Sequence, residues 1–261
     1  MKRNPRFNHL TAALLALSFM APFCGAVVNT MPPVVDISST SKTIVIIDPA
    51  HGGGDYGSTG GGIREKDITL KAARLLKQKL ESASADIQVF LTRGSDTAVT
   101  PEDRAGFANS RNGAVYISLH CDYVPSASSE GYMVFYYSGD RLSGVSPQGI
   151  EWQKVQLLHL VDSTALAALV DQYMKSPLIA APGSAVQDAN DTLPLASRGV
   201  RQSALLCLEG VNMPAVAVEM GNLNNTADAG YLKDDGMLGR ICYHLEEAIV
   251  NFIKGQSARR Q

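Results

Sequence analysis

Four residues of this 261-residue chain join ligand or acid–base chemistry to a position at the carboxyl side of an apolar run or in the loop that follows it. His51 follows the β-branched run 44–47, in Asp48-Pro49-Ala50-His51-Gly52-Gly53-Gly54. Glu65 opens the next helical pattern, His120 closes Tyr116-Ile117-Ser118-Leu119-His120, and Glu219 closes Val216-Ala217-Val218-Glu219. Taken singly, each has an ordinary explanation. A histidine ending a buried strand is most often structural, Glu65 suits a helix N-terminus, and Glu219 could pair with an arginine. Together, two imidazoles and one or two carboxylates at carboxyl-side strand ends form a credible catalytic metal site. This donor set suits zinc, and three protein ligands leave a fourth position open. Such an ion supplies a nucleophilic water near neutral pH and polarises a carbonyl.

The elements that must position these residues read as an alternation of strands and helices. Runs at 44–47, 87–91, 115–119, 132–137 and 216–218 predict strands. Ile68, Ala72, Leu75, Leu76 and Leu80 repeat at helical spacing, with Asp67 as the expected N-cap. A short helix is expected over 104–110 and another around Leu166, Leu169, Val170, Tyr173 and Met174. The clearest amphipathic helix carries Leu238, Ile241, Cys242, Leu245, Ile249, Phe252 and Ile253. This order predicts one α/β domain with a mostly parallel twisted sheet flanked by helices on both faces. In such a sheet, ligands bind beyond the carboxyl ends of the strands. The stretch 138–201, with four prolines and a polar run at 187–192, breaks the rhythm and is expected as an insertion beside the sheet.

Composition narrows the function classes. The chain is 45% hydrophobic and 18% charged, with a formal charge of −2, which supports a globular core and argues against nucleic acid as a partner. Residues 1–26 read as a signal peptide: Lys2, Arg3 and Arg6 precede an apolar stretch too short to span a membrane, and small residues lead to a cleavage point after Ala26. Removal leaves 20 basic against 25 acidic residues, a charge of −5. Residues 27–42 read as a linker and 43–256 as the catalytic domain. Cys121, Cys207 and Cys242 follow no metal-binding spacing, and the settings of Cys121 and Cys242 suit buried small hydrophobes. Gly52, Gly54 and Gly57 satisfy a dinucleotide-type G-x-G-x-x-G, but the clear helix begins only near Asp67 and no acid ends the second strand. The seven glycines between His51 and Glu65 are better read as a loop that wraps tightly from one ligand to the next.

The motifs carry a resemblance. D-P-A-H-G-G-G-D-Y-G with R-E-K-D, then L-T-R at 91–93, R-A-G-F-A-N at 104–109, Y-I-S-L-H-C-D at 116–122, R-G-V at 198–200 and P-A-V-A-V-E-M-G-N-L-N-N at 214–225 resemble, in order, the zinc-dependent N-acetylmuramoyl-L-alanine amidases of the amidase 3 family. The resemblance implies one zinc per catalytic domain, with His51, Glu65 and His120 as ligands and Glu219 as the catalytic carboxylate. It implies cleavage of the amide between N-acetylmuramic acid and L-alanine in peptidoglycan, by an exported, periplasmic monomer that acts in cell separation or wall remodelling, with an activator protein as a partner. Each histidine should place its second ring nitrogen on an outer partner, with Asp48 and Asp122 nearest in sequence. Ala50, Cys121 and Asn222 depart from the family pattern, and Asn222 is expected to reshape the pocket near Glu219. Members of the family can block their zinc with a carboxylate from the region of 138–201. Glu151, Asp162 and Asp171 are the candidates here, each read first as a solvated helix charge. Other classes are a zinc peptidase acting elsewhere on the stem peptide, a non-catalytic wall-binding module, and a glycosidase using Glu65 and Glu219 as its carboxylate pair.

Overall fold

The strand runs assemble into one six-stranded sheet in a computed structural model that describes residues 42–139, 152, 154–177 and 192–259. The expected signal peptide, the linker up to residue 41, and Glu151 lie outside the described residues. The strands are β1 (Thr43–Pro49), β4 (Ile87–Leu91), β5 (Val115–Asp122), β6 (Tyr132–Tyr137), β7 (Ser197–Ser203) and β8 (Ala215–Asn222), in the spatial order β4-β1-β5-β8-β6-β7. β4, β1, β5 and β8 are mutually parallel, β6 runs antiparallel to β8, and β7 runs parallel to β6. A two-stranded antiparallel hairpin, β2 (Thr59–Gly60) with β3 (Ile63–Arg64), stands apart from the sheet. The helices are α1 (Glu65–Ala83), α2 (Pro101–Ser110), α3 (Leu160–Lys175), α4 (Thr226–Lys233) and α5 (Asp235–Arg259).

Strand alternation divides the core. Val45 and Ile47, Ile117 and Leu119, Val216 and Val218 join side chains of α1, α3 and α5 in a large cluster on one face. Ile46, Tyr116, Ala215 and Ala217 face the other way, onto Ala105 and Ala108 of α2 and the turn around Leu208. Among the described residues the sheet is therefore covered on both faces, heavily on one and thinly on the other. By the same alternation Ser118, His120 and Glu219 belong to the thinly covered face.

Local departures from the sequence expectation have physical causes. α1 begins at Glu65, not after an Asp67 cap, because carbonyls of the glycine-rich loop do the capping. Glu65 N–H donates to Ser58 and Lys66 N–H to Tyr56. α2 begins at Pro101, earlier than expected, since the Thr100 side chain accepts from Asp103 N–H and proline suits the first helical position. β7 and α4 escaped the reading. β7 (Ser-Arg-Gly-Val-Arg-Gln-Ser) is a polar, partly exposed edge strand, the type of strand with the weakest apolar signal. The stretch 138–201, expected as an insertion beside the sheet, also supplies the sheet's own layers. Leu166, Ala167, Val170 and Met174 of α3 are fully buried, and β7 starts within it.

The carboxyl end of β1 is clamped by buried charge. Asp48 is 1% exposed. It accepts from Thr92 Oγ1 and Arg104 Nη1, both at 2.5 Å, and from Ser118 Oγ at 2.7 Å. Arg104 also donates to the carbonyls of Pro49 and His51. Arg93 donates to those of Pro49, Ala50 and Lys66. Burial alone would raise the Asp48 carboxyl, but the Arg104 charge and three hydrogen bonds outweigh it and hold it below the ordinary aspartate range. Asp48→Asn leaves the Arg104 cation buried without its counter-charge, so unfolding stability should fall by about 3–5 kcal/mol at neutral pH. Because the native carboxyl lies below its unfolded value, its contribution is present above the unfolded pKa and is lost as pH falls further. The gap between wild type and Asp48→Asn in urea midpoint should therefore narrow below about pH 4.

Candidate metal centre

The three ligand-type residues named from the sequence converge on one point, and their atoms lie within 4.8 Å of one another. Glu65 is the hub. Its carboxylate turns back over the helix N-terminus, where Oε2 accepts from Ser58 N–H at 2.7 Å and Oε1 from Cys121 N–H at 3.1 Å. Oε2 lies 3.1 Å from His51 Nε2, and Oε1 lies 3.1 Å from His120 Nδ1. Burial would raise this carboxyl, yet the two imidazoles bring it well below the ordinary glutamate range. His51 responds in the opposite sense. Burial lowers its basicity, but the bonds to Glu65 and Asp55 leave its pKa raised. His120 is also well above an ordinary histidine, with Cys207, Glu65 and Glu219 overriding burial.

Two backbone features make this convergence possible. His51 has φ of 61°, a left-handed conformation uncommon for a side chain of its size. Its carbonyl is held there by Arg104 Nη2 at 2.8 Å. Gly57 has φ of 63°, and a Cβ at that point would stand 2.5 Å from both Glu65 Oε2 and His51 Cδ2. Only glycine lets the loop pass this close to His51 and Glu65.

The outer partners differ from the expected pair of aspartates. His51 Nδ1 meets Asp55 Oδ2 at 2.7 Å. His120 Nε2 meets Ser118 Oγ at 3.0 Å, and Asp48 reaches it only through that hydroxyl. Asp122 is instead paired with Arg198 at 2.8 Å. Asp55 and Ser118 were both legible in principle. Asp55 stands four residues after His51 in the same short loop, and Ser118 lies two before His120, on the same strand face.

Glu219 is the cross-strand neighbour of His120 in the parallel β5–β8 register. Its Oε2 is buried and has no hydrogen-bond partner among the described residues. Burial pushes its pKa up to about 7. It shares with His51, Glu65 and His120 a cavity of about 510 Å³, whose apolar wall includes Val99, Leu205 and Cys207. A tetrahedral ion with bonds of about 2.0–2.1 Å separates its ligand atoms by roughly 3.3 Å. The two 3.1 Å spacings around Glu65 suit that donor set.

Residues 45–251 match the Amidase_3 family, described as N-acetylmuramoyl-L-alanine amidase. The chain belongs to this family. It is 30% identical over 216 residues to the probable cell wall amidase LytH of Staphylococcus aureus, a match covering 82% of this chain and 57% of LytH. The chain thus spans little more than half the length of that relative. Its fold is that of the catalytic domain of CwlV, an N-acetylmuramoyl-L-alanine amidase from Bacillus (Paenibacillus) polymyxa var. colistinus, at 22% identity and TM-score 0.64 over 81% of this chain and 98% of that one. AmiC2 of Nostoc punctiforme is equally similar, at 23% identity and TM-score 0.64 over 81% and 97%. The CwlD amidase of Clostridioides difficile, solved in complex with the GerS lipoprotein, shares the fold at 19% identity and TM-score 0.62 over 82% and 99%.

Three further expectations meet the geometry. Asn222 does not line the cavity that holds Glu219. It is buried, its Oδ1 accepts from Val124 and Asn224 N–H, and its Nδ2 donates to Ser129, so it pins the loop after β5. Asp162 and Asp171 do not approach the metal centre. Asp162 accepts from Gln256 on α5, and Asp171 from Tyr132, Ser197 and Lys175, because α3 packs on the heavily covered face. Glu65, enclosed by two imidazoles and two backbone N–H groups, is not free to act as one of a glycosidase pair.

Gly57→Ala should show how much the site depends on the close loop. A left-handed alanine costs about 1–2 kcal/mol by itself, and its Cβ must also displace His51 or Glu65. Thermal stability should drop, and affinity for a divalent metal ion measured by chelator competition should fall at least about tenfold. Wild-type affinity in this variant would show that the ligands tolerate a wider loop.

Proposed function

We propose that this chain is a zinc-dependent hydrolase that cleaves the amide between N-acetylmuramic acid and L-alanine in peptidoglycan. The observation that carries the reading is the buried, unpartnered Glu219 Oε2 in the same cavity as a carboxylate bridging two histidines. His51 through Nε2, His120 through Nδ1, and Glu65 would hold one zinc per catalytic domain of 43–256. When bound, the ion supplies the charge that polarises the scissile carbonyl and acidifies a water. Glu219 does the proton work: its Oε2 takes the proton of the attacking water and returns it to the departing amine of L-alanine. Burial raises the proton affinity of this carboxyl, which favours its taking up the water proton. Asp55 and Ser118 orient the two imidazoles.

The same reading places the enzyme outside the cytoplasm, exported by residues 1–26 to the periplasm, where it acts as a monomer in cell separation or wall remodelling. No helix among the described residues is long and apolar enough to cross a membrane. An activator protein is the proposed partner, and the complex of CwlD with the GerS lipoprotein supports a protein partner for this fold.

Mass spectrometry of purified peptidoglycan after digestion is the direct test. Released peptides should begin with a free L-alanine amine, and a zinc chelator should abolish their release. Cleavage between two amino acids of the stem would identify a peptidase instead, and release of sugar fragments that survives chelation would identify a glycosidase. Glu219→Gln keeps the size of the side chain but cannot accept the proton. It should retain zinc by elemental analysis while turnover falls about 10²-fold or more. If this variant loses its zinc, Glu219 is itself a ligand and the assignment of the base is wrong.

A further inference from the structure

The hydrogen bonds around Asp48 leave little freedom in how protons are placed between it and His120. Asp48 Oδ1 is already bonded to the Arg104 guanidinium and to the Thr92 hydroxyl, which leaves Oδ2 to face Ser118 Oγ at 2.7 Å. A carboxylate held against a buried guanidinium can only accept. The single hydroxyl proton of Ser118 must therefore point to Asp48, since otherwise two lone-pair oxygens would be in contact. Ser118 Oγ then has only lone pairs to offer His120 Nε2, 3.0 Å away on the other side. The contact is made when Nε2 carries a proton and donates it. The opposite ring nitrogen, Nδ1, faces Glu65 Oε1 at 3.1 Å.

We infer that Ser118 is a positioning residue for the metal centre: it relays the fixed charge of Asp48 to His120, keeps the proton on Nε2, and presents the Nδ1 lone pair to the zinc. This rests on the reading of His51, Glu65 and His120 as zinc ligands. The relay is built into strand register. Asp48 and Ser118 are cross-strand partners of the parallel β1–β5 pair, and Ser118 and His120 share one face of β5 because they are two residues apart. The two histidines are consequently organised in opposite ways. His51 offers Nε2 and leans with Nδ1 on Asp55, whose side chain is 63% exposed, whereas His120 offers Nδ1 and leans on groups that are fully buried. A buried partner keeps its hydrogen bond undiluted by water, so Ser118 should contribute more to ligand geometry than Asp55.

The test uses the full-length zinc-loaded chain with ¹⁵N-labelled histidine. Long-range ¹H–¹⁵N correlation should find an exchange-protected proton on Nε2 of His120 and none on Nδ1. Ser118→Ala should lose that protection and bind zinc about 10- to 100-fold more weakly in chelator competition, the range typical of outer-partner removal. Asp55→Ala should leave the His120 Nε2 proton in place. A proton found on Nδ1 of His120 in the wild type overturns the relay without any variant being needed. So does a folded Ser118→Ala with wild-type zinc affinity. A wild type that binds no zinc overturns the metal reading itself and the relay with it, an outcome distinct from the other two.

Discussion

The buried Asp48–Arg104 pair is the constraint on which the rest of the site depends. A carboxylate and a guanidinium removed from water repay their desolvation only when geometry is good and every remaining donor and acceptor is satisfied. Here the carboxylate has three donors, and the guanidinium reaches carbonyls on both sides of the β1 end. The same bonds that satisfy the charges hold the chain at Pro49 and His51, and so hold His51 in its left-handed conformation. The carboxylate's last acceptor position leads through Ser118 to His120. One buried charge thus bears on two candidate ligands from two neighbouring strands.

Glu65 completes the centre from outside the sheet. The glycine-rich loop has to leave β1, approach His51 and Glu65 within contact distance at Gly57, and supply carbonyls that cap α1. Lys66, buried beside Glu65, ties the loop back by donating to Gly53 and Asp96. The carboxylate arrives between two imidazoles with both oxygens already bonded to backbone N–H groups, which limits its motion and favours its charged form. Glu219 stands in contrast. It is buried without such donors, so its proton affinity rises, and two glutamates in one cavity acquire opposite acid–base character.

The uneven covering of the sheet gives these groups an opening. Helices α1, α3 and α5, with Leu232 of α4, bury one face, where Leu, Val and Ile dominate, and this face supplies most of the apolar stabilisation. Among the described residues the other face carries α2, the turn around Leu208 and the side chains of Trp152 and Leu157, and polar side chains of β1, β5 and β8 line a cavity there. α3 belongs to the heavily covered side. Its acids are spent on α5, β6 and β7 and stand away from the candidate metal ligands.

The sequence by itself determined the α/β alternation and the mostly parallel sheet, because strand and helix periods are local. It singled out the four residues that the fold brings together, because His120 and Glu219 directly end an apolar run, His51 follows one after three residues and Glu65 opens the next helix. It also determined that the stretch between His51 and Glu65 had to be a tight loop, since no other reason accounts for so many glycines. Tertiary structure alone decided the rest. β7 owes its existence to a neighbour, β6, and a polar edge strand carries almost no pattern of its own. The start of α1 was set by carbonyls of a loop folded back on it, which no cap residue announces. What stands behind Ser118 depended on cross-strand register: Asp48 meets it because β1 and β5 align there, 70 residues apart in the chain. Register arises from the packing of whole strands, so a pairing of that kind is not written in either strand alone.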